Sequence, residues 1–345
     1  MRFPPSITHF IHVFSASFVG VLLLIGLPLV SGKLPFVSPL SNSSHIFTLV
    51  GPKLKVIPNS FSVKKQNALV PVSYAGSDYE QASAYAVVDM ETGEVIADKN
   101  IDKKLAFASL TKVMTAVVAL DLIRPGDLCS FNDRAARQIP TKIGANVGEI
   151  FTYEELLHAS LLTSANDATE AIKECVDRHY GEPVFIEAMN YKAQFLGLSG
   201  SHFTNAEGFD NDEHLSTVED LTTLAHYALT NYSLIAEIVA KDEVTLPANH
   251  NHRRFRLINW NGLLGVYPDV IGVKIGNTGD AGKTTIVVSS REGKKLIAVV
   301  LGATDIWERD LWASQLLDYG YEKLLDLPPV EVTRAQLREK YLSWQ

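Results

Sequence analysis

The side chains best suited to chemistry in this chain are Ser109 and Lys112, in the run Phe107-Ala108-Ser109-Leu110-Thr111-Lys112. A spacing of three on a helix puts the hydroxyl and the amine on one face. Serine is a weak nucleophile until a neighbouring base takes its proton, and a lysine can do so only when neutral. The surrounding apolar residues, Phe107 through Ala116, supply a wall that would strip water from the amine and lower its pKa. The same residues also read as a helix N-cap followed by a solvated lysine.

Two later stretches carry compatible groups. In Leu161-Leu162-Thr163-Ser164-Ala165-Asn166-Asp167-Ala168, Ser164 and Asn166 alternate, so both side chains can point one way; the plainer reading makes Asn166 or Asp167 the cap of the next helix. In Gly272-Val273-Lys274-Ile275-Gly276-Asn277-Thr278, Lys274 is expected at the end of a strand, with Gly276 allowing a substrate backbone to come close. The plainer reading here is an edge strand guarded by a lysine.

The elements that must position these groups follow from pattern. Val13 to Val30 is almost wholly apolar, with Arg2 ahead of it and Ser31-Gly32-Lys33 behind, which reads as a cleavable export signal or an uncleaved anchor over residues 1–32. Residues 33–81 are rich in proline, glycine and serine and read as a partly irregular spacer, with Ile46-Phe47-Thr48-Leu49-Val50 as an isolated apolar patch and Asn42-Ser43-Ser44 as a weak glycosylation match. Strand patterns at Ala84–Asp89 and Glu94–Asp98 flank a turn at Glu91-Thr92-Gly93. Helical periodicity dominates from 109 to about 240, strand patterns return at 270–274, 284–290 and 295–301, and Glu308–Leu325 closes as a helix stopped by Pro328-Pro329. Strands, a helical block, strands and a helix predict an α+β fold: an antiparallel sheet built from both chain ends, with an inserted, mainly helical lobe and a cleft between them.

Composition sets the outer bounds. The 345 residues are 46% hydrophobic, enough for one large domain with appendages, and the net charge of −8 argues against a nucleic-acid partner. The two cysteines, Cys129 and Cys175, show no zinc-ligand spacing, and two buried free thiols are expected in preference to a disulfide. Asn249-His250-Asn251-His252-Arg253-Arg254 has metal-binding residue types but reads as a polar loop, and no metal site is expected.

Ser-x-x-Lys, Ser-x-Asn and Lys-x-Gly in this order form the set shared by penicillin-binding proteins and serine β-lactamases. The flanking text narrows it: Asn205-Ala206-Glu207-Gly208-Phe209-Asp210 before His214-Leu215-Ser216-Thr217, then Asn261-Gly262-Leu263-Leu264, Asp280-Ala281-Gly282 and Leu316-Leu317-Asp318-Tyr319-Gly320. On these motifs the chain resembles the low-molecular-mass D-alanyl-D-alanine carboxypeptidases over roughly residues 82–325, which implies the β-lactamase/transpeptidase-like fold and a catalytic domain over 82–327. The resemblance implies that Ser109 attacks the carbonyl between the two terminal D-alanines of a peptidoglycan stem peptide and that Lys112 accepts its proton. It implies that Ser164, assisted by Lys274, relays a proton to the leaving D-alanine, and that Asn166 binds substrate and holds Lys112. It gives the backbone N–H groups of Ser109 and Asn277 to the oxyanion hole, and Gly276, Thr278 and Arg309 to the substrate side, with Lys274 also attracting the terminal carboxylate. Arg309 reads as readily as a surface arginine at a helix start. The resemblance further implies penicillins as covalent inhibitors and no cofactor, and the apolar N-terminal segment, whether signal or anchor, places the rest of the chain outside the cytoplasm.

The chain departs from the family pattern at Ile275, where threonine is usual, removing a hydroxyl that would bond the substrate carboxylate. Many relatives add a β-rich domain and an anchor helix, whereas residues 328–345 read as a short tail, so membrane attachment is expected only through the N-terminal segment. A class A β-lactamase would carry a deacylating glutamate in a Glu-x-x-Leu-Asn context, and Glu207-Gly208-Phe209-Asp210-Asn211 does not match it. A D,D-endopeptidase using the same catalytic set and a peptidoglycan-binding pseudoenzyme, the latter suggested by Ile275, are the competing readings.

Overall fold

A computed structural model describes residues 53–65 and 78–345, all within one unit. The apolar segment at 13–30, the patch at 46–50 and the Asn42 triplet lie outside the described residues. Two strands, β1 (Ala84–Asp89) and β2 (Val95–Lys99), form the hairpin expected around Gly93. Helix α1 (Thr111–Leu122) follows, then a small antiparallel pair, β3 (Leu128–Ser130) and β4 (Ile150–Thr152), with α2 (Asp133–Ala136) between them. The lobe continues through α3 (Tyr153–Leu161), α4 (Asn166–Tyr180), α5 (Phe185–Leu196), α6 (Val218–Asn231) and α7 (Ser233–Val239), and ends at a second small pair, β5 (Glu243–Leu246) and β6 (Phe255–Ile258). Strands β7 (Val270–Thr278), β8 (Gly282–Arg291) and β9 (Lys294–Ala303) and helices α8 (Ile306–Leu325) and α9 (Arg334–Leu342) complete the chain.

The main sheet has the order β2-β1-β9-β8-β7, and every neighbouring pair is antiparallel. It is therefore made from both ends of the domain, as the pattern of elements requires. Both faces are covered. Along β1, Ala84, Ala86 and Val88 join the core shared with the helical lobe, while Tyr85 and Val87 join the core under α8. The strand alternation of period two thus splits between two hydrophobic layers, which explains a strand buried at every residue.

Three local expectations change. Cys129 on β3 and Cys175 on α4 are joined by a disulfide, not left as free thiols, because the fold brings their Cα atoms to 5.8 Å across 46 residues of sequence, within disulfide reach. The segment 53–65, although without helix or strand, packs Leu54, Ile57, Phe61 and Val63 on the main core and bridges to β2's approach through Lys64 and Gly93. Residues 334–342 form α9, started by a Thr333/Gln336 capping box and anchored by buried Leu337.

The bridge closes a long loop, and its removal should release that constraint in the unfolded chain. Replacing both Cys129 and Cys175 by serine is expected to lower the unfolding free energy by about 2–4 kcal/mol in a urea titration. An unchanged midpoint would contradict the bridge.

Candidate active site

Ser109 sits in a short 3-10 turn, Ala108–Leu110, that feeds directly into α1. The residue before it, Ala108, has φ of 53°, a left-handed conformation that costs about 1–3 kcal/mol for a residue with a side chain. A chain of hydrogen bonds holds it there. Thr111 Oγ1 donates to the Ala108 carbonyl at 2.8 Å, and His214 Nε2 lies 2.8 Å from that same hydroxyl. His214 Nδ1 accepts from the Thr204 backbone N–H at 3.0 Å, so Nε2 must carry the proton it gives Thr111. Burial pushes the His214 pKa down to about 4, and the neutral ring stacks on Phe107 at 4.8 Å.

One turn along α1, Lys112 is fully buried. Its Nζ lies 2.9 Å from Ser109 Oγ, 2.8 Å from Asn166 Oδ1 and 2.7 Å from the Glu207 carbonyl. A neutral amine has two N–H bonds and one lone pair. The two carbonyl oxygens take the protons, and the lone pair remains for the Ser109 hydroxyl. Burial lowers the Lys112 pKa to about 7, against the opposing fields of Glu207 and Asp167. The amine is therefore a base poised near neutrality, and the solvated-cap reading is excluded.

Asn166 opens α4, but the N-cap is Ala165 and makes no side-chain cap. The Asn166 amide is turned inward and held at both ends: Oδ1 accepts from Lys112, and Nδ2 donates to the Ile139 carbonyl at 3.0 Å. Ser164, just ahead, has φ of 58° and lines the same cleft as Ser109.

Lys274 lies in the middle of β7, not at its end, because the strand runs on to Thr278. It is 2% exposed and its Nζ donates to the Ile275 carbonyl at 2.9 Å. Burial, then the nearby charges of Lys112 and Arg309, hold its pKa well below the usual lysine range. Residues facing each other across an antiparallel ladder share a side of the sheet. Lys274 pairs with Ile286 and Gly276 with Thr284, both on the lobe side, where Ile286 joins the main core and Thr284 Oγ1 donates to the Phe107 carbonyl. Gly276 does not line the cleft, and what approaches it is the chain itself. A Cβ there would lie 2.4 Å from Thr284 Oγ1, 2.9 Å from Ala108 Cβ and 3.0 Å from the Ser109 backbone N. The glycine lets β7 close against the Ser109 turn.

The cleft has a volume of about 720 Å³ and brings Ser109, Ser164, Asn166, Ile275, Asn277, Thr278 and Arg309 together. Thr278 Oγ1 accepts from the Ala281 N–H at 3.2 Å, leaving its proton free to donate. Arg309 is buried, not a surface residue. Pattern reading missed several contributors. The Glu207 carbonyl gave no signal because every residue carries one. Trp260, Ile258, Ile306 and Trp344 wall the cleft, and nothing in their spacing marks them. The 249–254 segment is a loop between β5 and β6, where buried His252 bonds Arg253 O at 2.7 Å and Glu155 Oε1 at 3.2 Å. Among the described residues no cluster of metal-ligating side chains occurs.

Comparison with known proteins finds a match to the model of the family "Peptidase_S11: D-alanyl-D-alanine carboxypeptidase" over residues 72–305. D-alanyl-D-alanine carboxypeptidase DacF of Bacillus subtilis is 32% identical over 70% of this chain and 63% of its own length. DacB2 of Mycobacterium tuberculosis is 30% identical over 70% of this chain and 82% of its own. The chain thus spans less than two thirds of the former. Among solved structures, the Streptomyces K15 DD-transpeptidase superposes with a TM-score of 0.65 at 27% identity, covering 70% of this chain and 97% of that one. Penicillin-binding protein D2 of Listeria monocytogenes, in an ampicillin-bound form, gives 0.59 at 29% identity, with 70% and 97% coverage.

Because the base must be neutral to act, the rate at which an activated ester acylates Ser109 should rise about tenfold per pH unit up to about 7 and flatten above it. Lys112→Arg, permanently charged, should lose this acylation at every pH. A profile that climbs steadily to pH 10 would contradict a lowered Lys112 pKa.

Proposed function

Because the chain belongs to the D-alanyl-D-alanine carboxypeptidase family of serine peptidases, we propose that it is an exported carboxypeptidase that removes the terminal D-alanine from peptidoglycan stem pentapeptides, and that penicillins acylate the same serine. The observation that carries this reading is the Lys112 amine, 2.9 Å from Ser109 Oγ and 2.8 Å from Asn166 Oδ1 behind a cleft of substrate size.

In this mechanism Ser109 Oγ attacks the penultimate carbonyl while Lys112 Nζ takes its proton. The oxyanion rests on the backbone N–H groups of Ser109 and Asn277, a donor pair worth several kcal/mol of barrier. The C–N bond breaks as Ser164, supported by Lys274, passes a proton to the departing D-alanine amine and takes the one held by Lys112, which leaves the amine neutral again. Water then attacks the ester carbonyl as Lys112 takes its proton, and the ester C–O bond breaks as that proton returns to Ser109 Oγ. Arg309 receives the terminal carboxylate, together with Thr278. A strand turns alternate side chains to opposite faces, so Ile275 lies on the cleft face beyond Lys274, where the family's threonine would offer its hydroxyl.

Export is carried by residues 1–32, as signal or anchor, and the Cys129–Cys175 disulfide suits an oxidising, extracytoplasmic compartment. No helix among the described residues is long and apolar enough to cross a membrane. The domain reading that goes with this is a 33–81 spacer, a catalytic unit over 82–327 and a C-terminal segment from 328 that folds back on it.

The test is release of free D-alanine from a pentapeptide. The wild type should release it, Ser109→Ala should fall by at least a thousandfold, and a fluorescent penicillin should label the first and not the second. Ile275→Thr should raise kcat/KM by roughly ten- to a hundredfold, the value of one charge-assisted hydrogen bond. Cleavage of a cross-linked muropeptide dimer without pentapeptide turnover would replace this reading with a D,D-endopeptidase. Absence of both label and turnover would leave a pseudoenzyme. An added amine acceptor reads out transfer, since one structural relative bears the name DD-transpeptidase.

A further inference from the structure

Arg309 reaches the cleft from the first turn of α8, and its geometry is set by two residues outside the catalytic motifs. Its neighbour Asp310 is fully buried and grips one edge of the guanidinium, accepting from Nε at 2.6 Å and from Nη2 at 2.8 Å. That edge uses two of the five N–H groups, and Tyr341 adds a polar contact to the guanidinium. Asp310 is held in turn from α9. Tyr341 Oη lies 2.6 Å from Asp310 Oδ2 and 3.1 Å from the Ile306 carbonyl, and its single proton goes to the nearer carboxylate.

The packing around this contact is specific. A Cβ on Gly262, in the Asn261-Gly262-Leu263-Leu264 stretch, would lie 2.1 Å from Asp310 Oδ2 and 2.6 Å from Tyr341 Cε1. The absent side chain is what lets carboxylate and phenol meet. The Tyr341 ring contacts Trp307 at 4.7 Å and Trp344 at 4.9 Å, and Trp344 continues into the cleft wall with Ile306. Arg309 stays charged although buried: desolvation opposes the charge, and Asp310 with Tyr341 outweighs it.

We propose that Tyr341 is a positioning residue for recognition of the substrate's terminal carboxylate, acting through Asp310 to hold the Arg309 guanidinium at the cleft. The inference rests on the carboxypeptidase reading and adds to it a determinant carried by α9. Two adjacent residues on a helix diverge by about 100°, so the Arg309–Asp310 fork needs a fixed Asp310 rotamer to persist. The phenol supplies that restraint and shares the charge of Asp310, so that Arg309 is not fully neutralised by its neighbour. Ile275 makes the device matter more here, since the hydroxyl that would otherwise share the carboxylate is missing.

The test compares two substrates on the full chain: an N-acylated D-Ala-D-Ala peptide and its C-terminal amide, which lacks the carboxylate. In Tyr341→Phe, KM for the free acid should rise about tenfold with kcat within twofold, and the amide kinetics should not change. Asp310→Asn, which keeps the shape and loses the charge, should show the same selective loss. A merely structural role would lower kcat for both peptides together. An unchanged preference for the acid in Tyr341→Phe, or equal losses on both substrates, overturns the relay and leaves the carboxypeptidase reading intact. A wild type that turns over neither peptide overturns the carboxypeptidase reading and the relay with it.

Discussion

The structure depends on keeping one amine dry. Lys112 has three polar neighbours and no carboxylate at hydrogen-bond distance, and its pKa falls from 10.5 to about 7. The unfolded chain holds this proton up to about 10.5, whereas the folded protein releases it near 7. The difference costs about 5 kcal/mol of stability below pH 7, and the cost shrinks as pH rises from about 7 to 10.5. A protein of ordinary stability carries such a penalty only if the rest of the fold offsets it. Here two packed layers on either face of one sheet do so, and α1, fully enclosed in the larger of them, carries the amine.

The three motif-bearing stretches come from three structural units and meet at close contacts. The turn carrying Ser109 is locked by Thr111 and His214. The start of α4 reaches Lys112 through Asn166. Strand β7 closes on the Ser109 turn where Gly276 leaves room. Rigid elements on both sides of a cleft give a site with little left to organise when a ligand enters. Lys274 adds a second buried amine, on which burial and then the Lys112 charge disfavour a proton.

Legibility in the sequence followed the range of each interaction. Ser109 and Lys112 were readable because helical spacing is local, and the β1–β2 hairpin and the β7–β9 strands were readable from alternation and turn residues. Ser164, Asn166 and Lys274 were legible only as recurring text, since their meeting is made by tertiary contacts. The Cys129–Cys175 bridge is not legible because 46 residues of sequence separation say nothing of distance in space. Residues 334–342 were read as tail because α9 buries little beyond Leu337, so its apolar signal is faint. Tyr341 and Trp344 therefore gave no pattern, although they stand beside the cleft's arginine.

The central claim is a deprotonated amine at Lys112 beside the Ser109 hydroxyl at neutral pH. The most direct measurement is an NMR titration of lysine side chains labelled at Cε, with the Lys112 signal assigned by its loss in Lys112→Arg. The account predicts a midpoint near pH 7. A Lys112 midpoint above 10 would mean an ammonium at every physiological pH, and the proposed base would not exist.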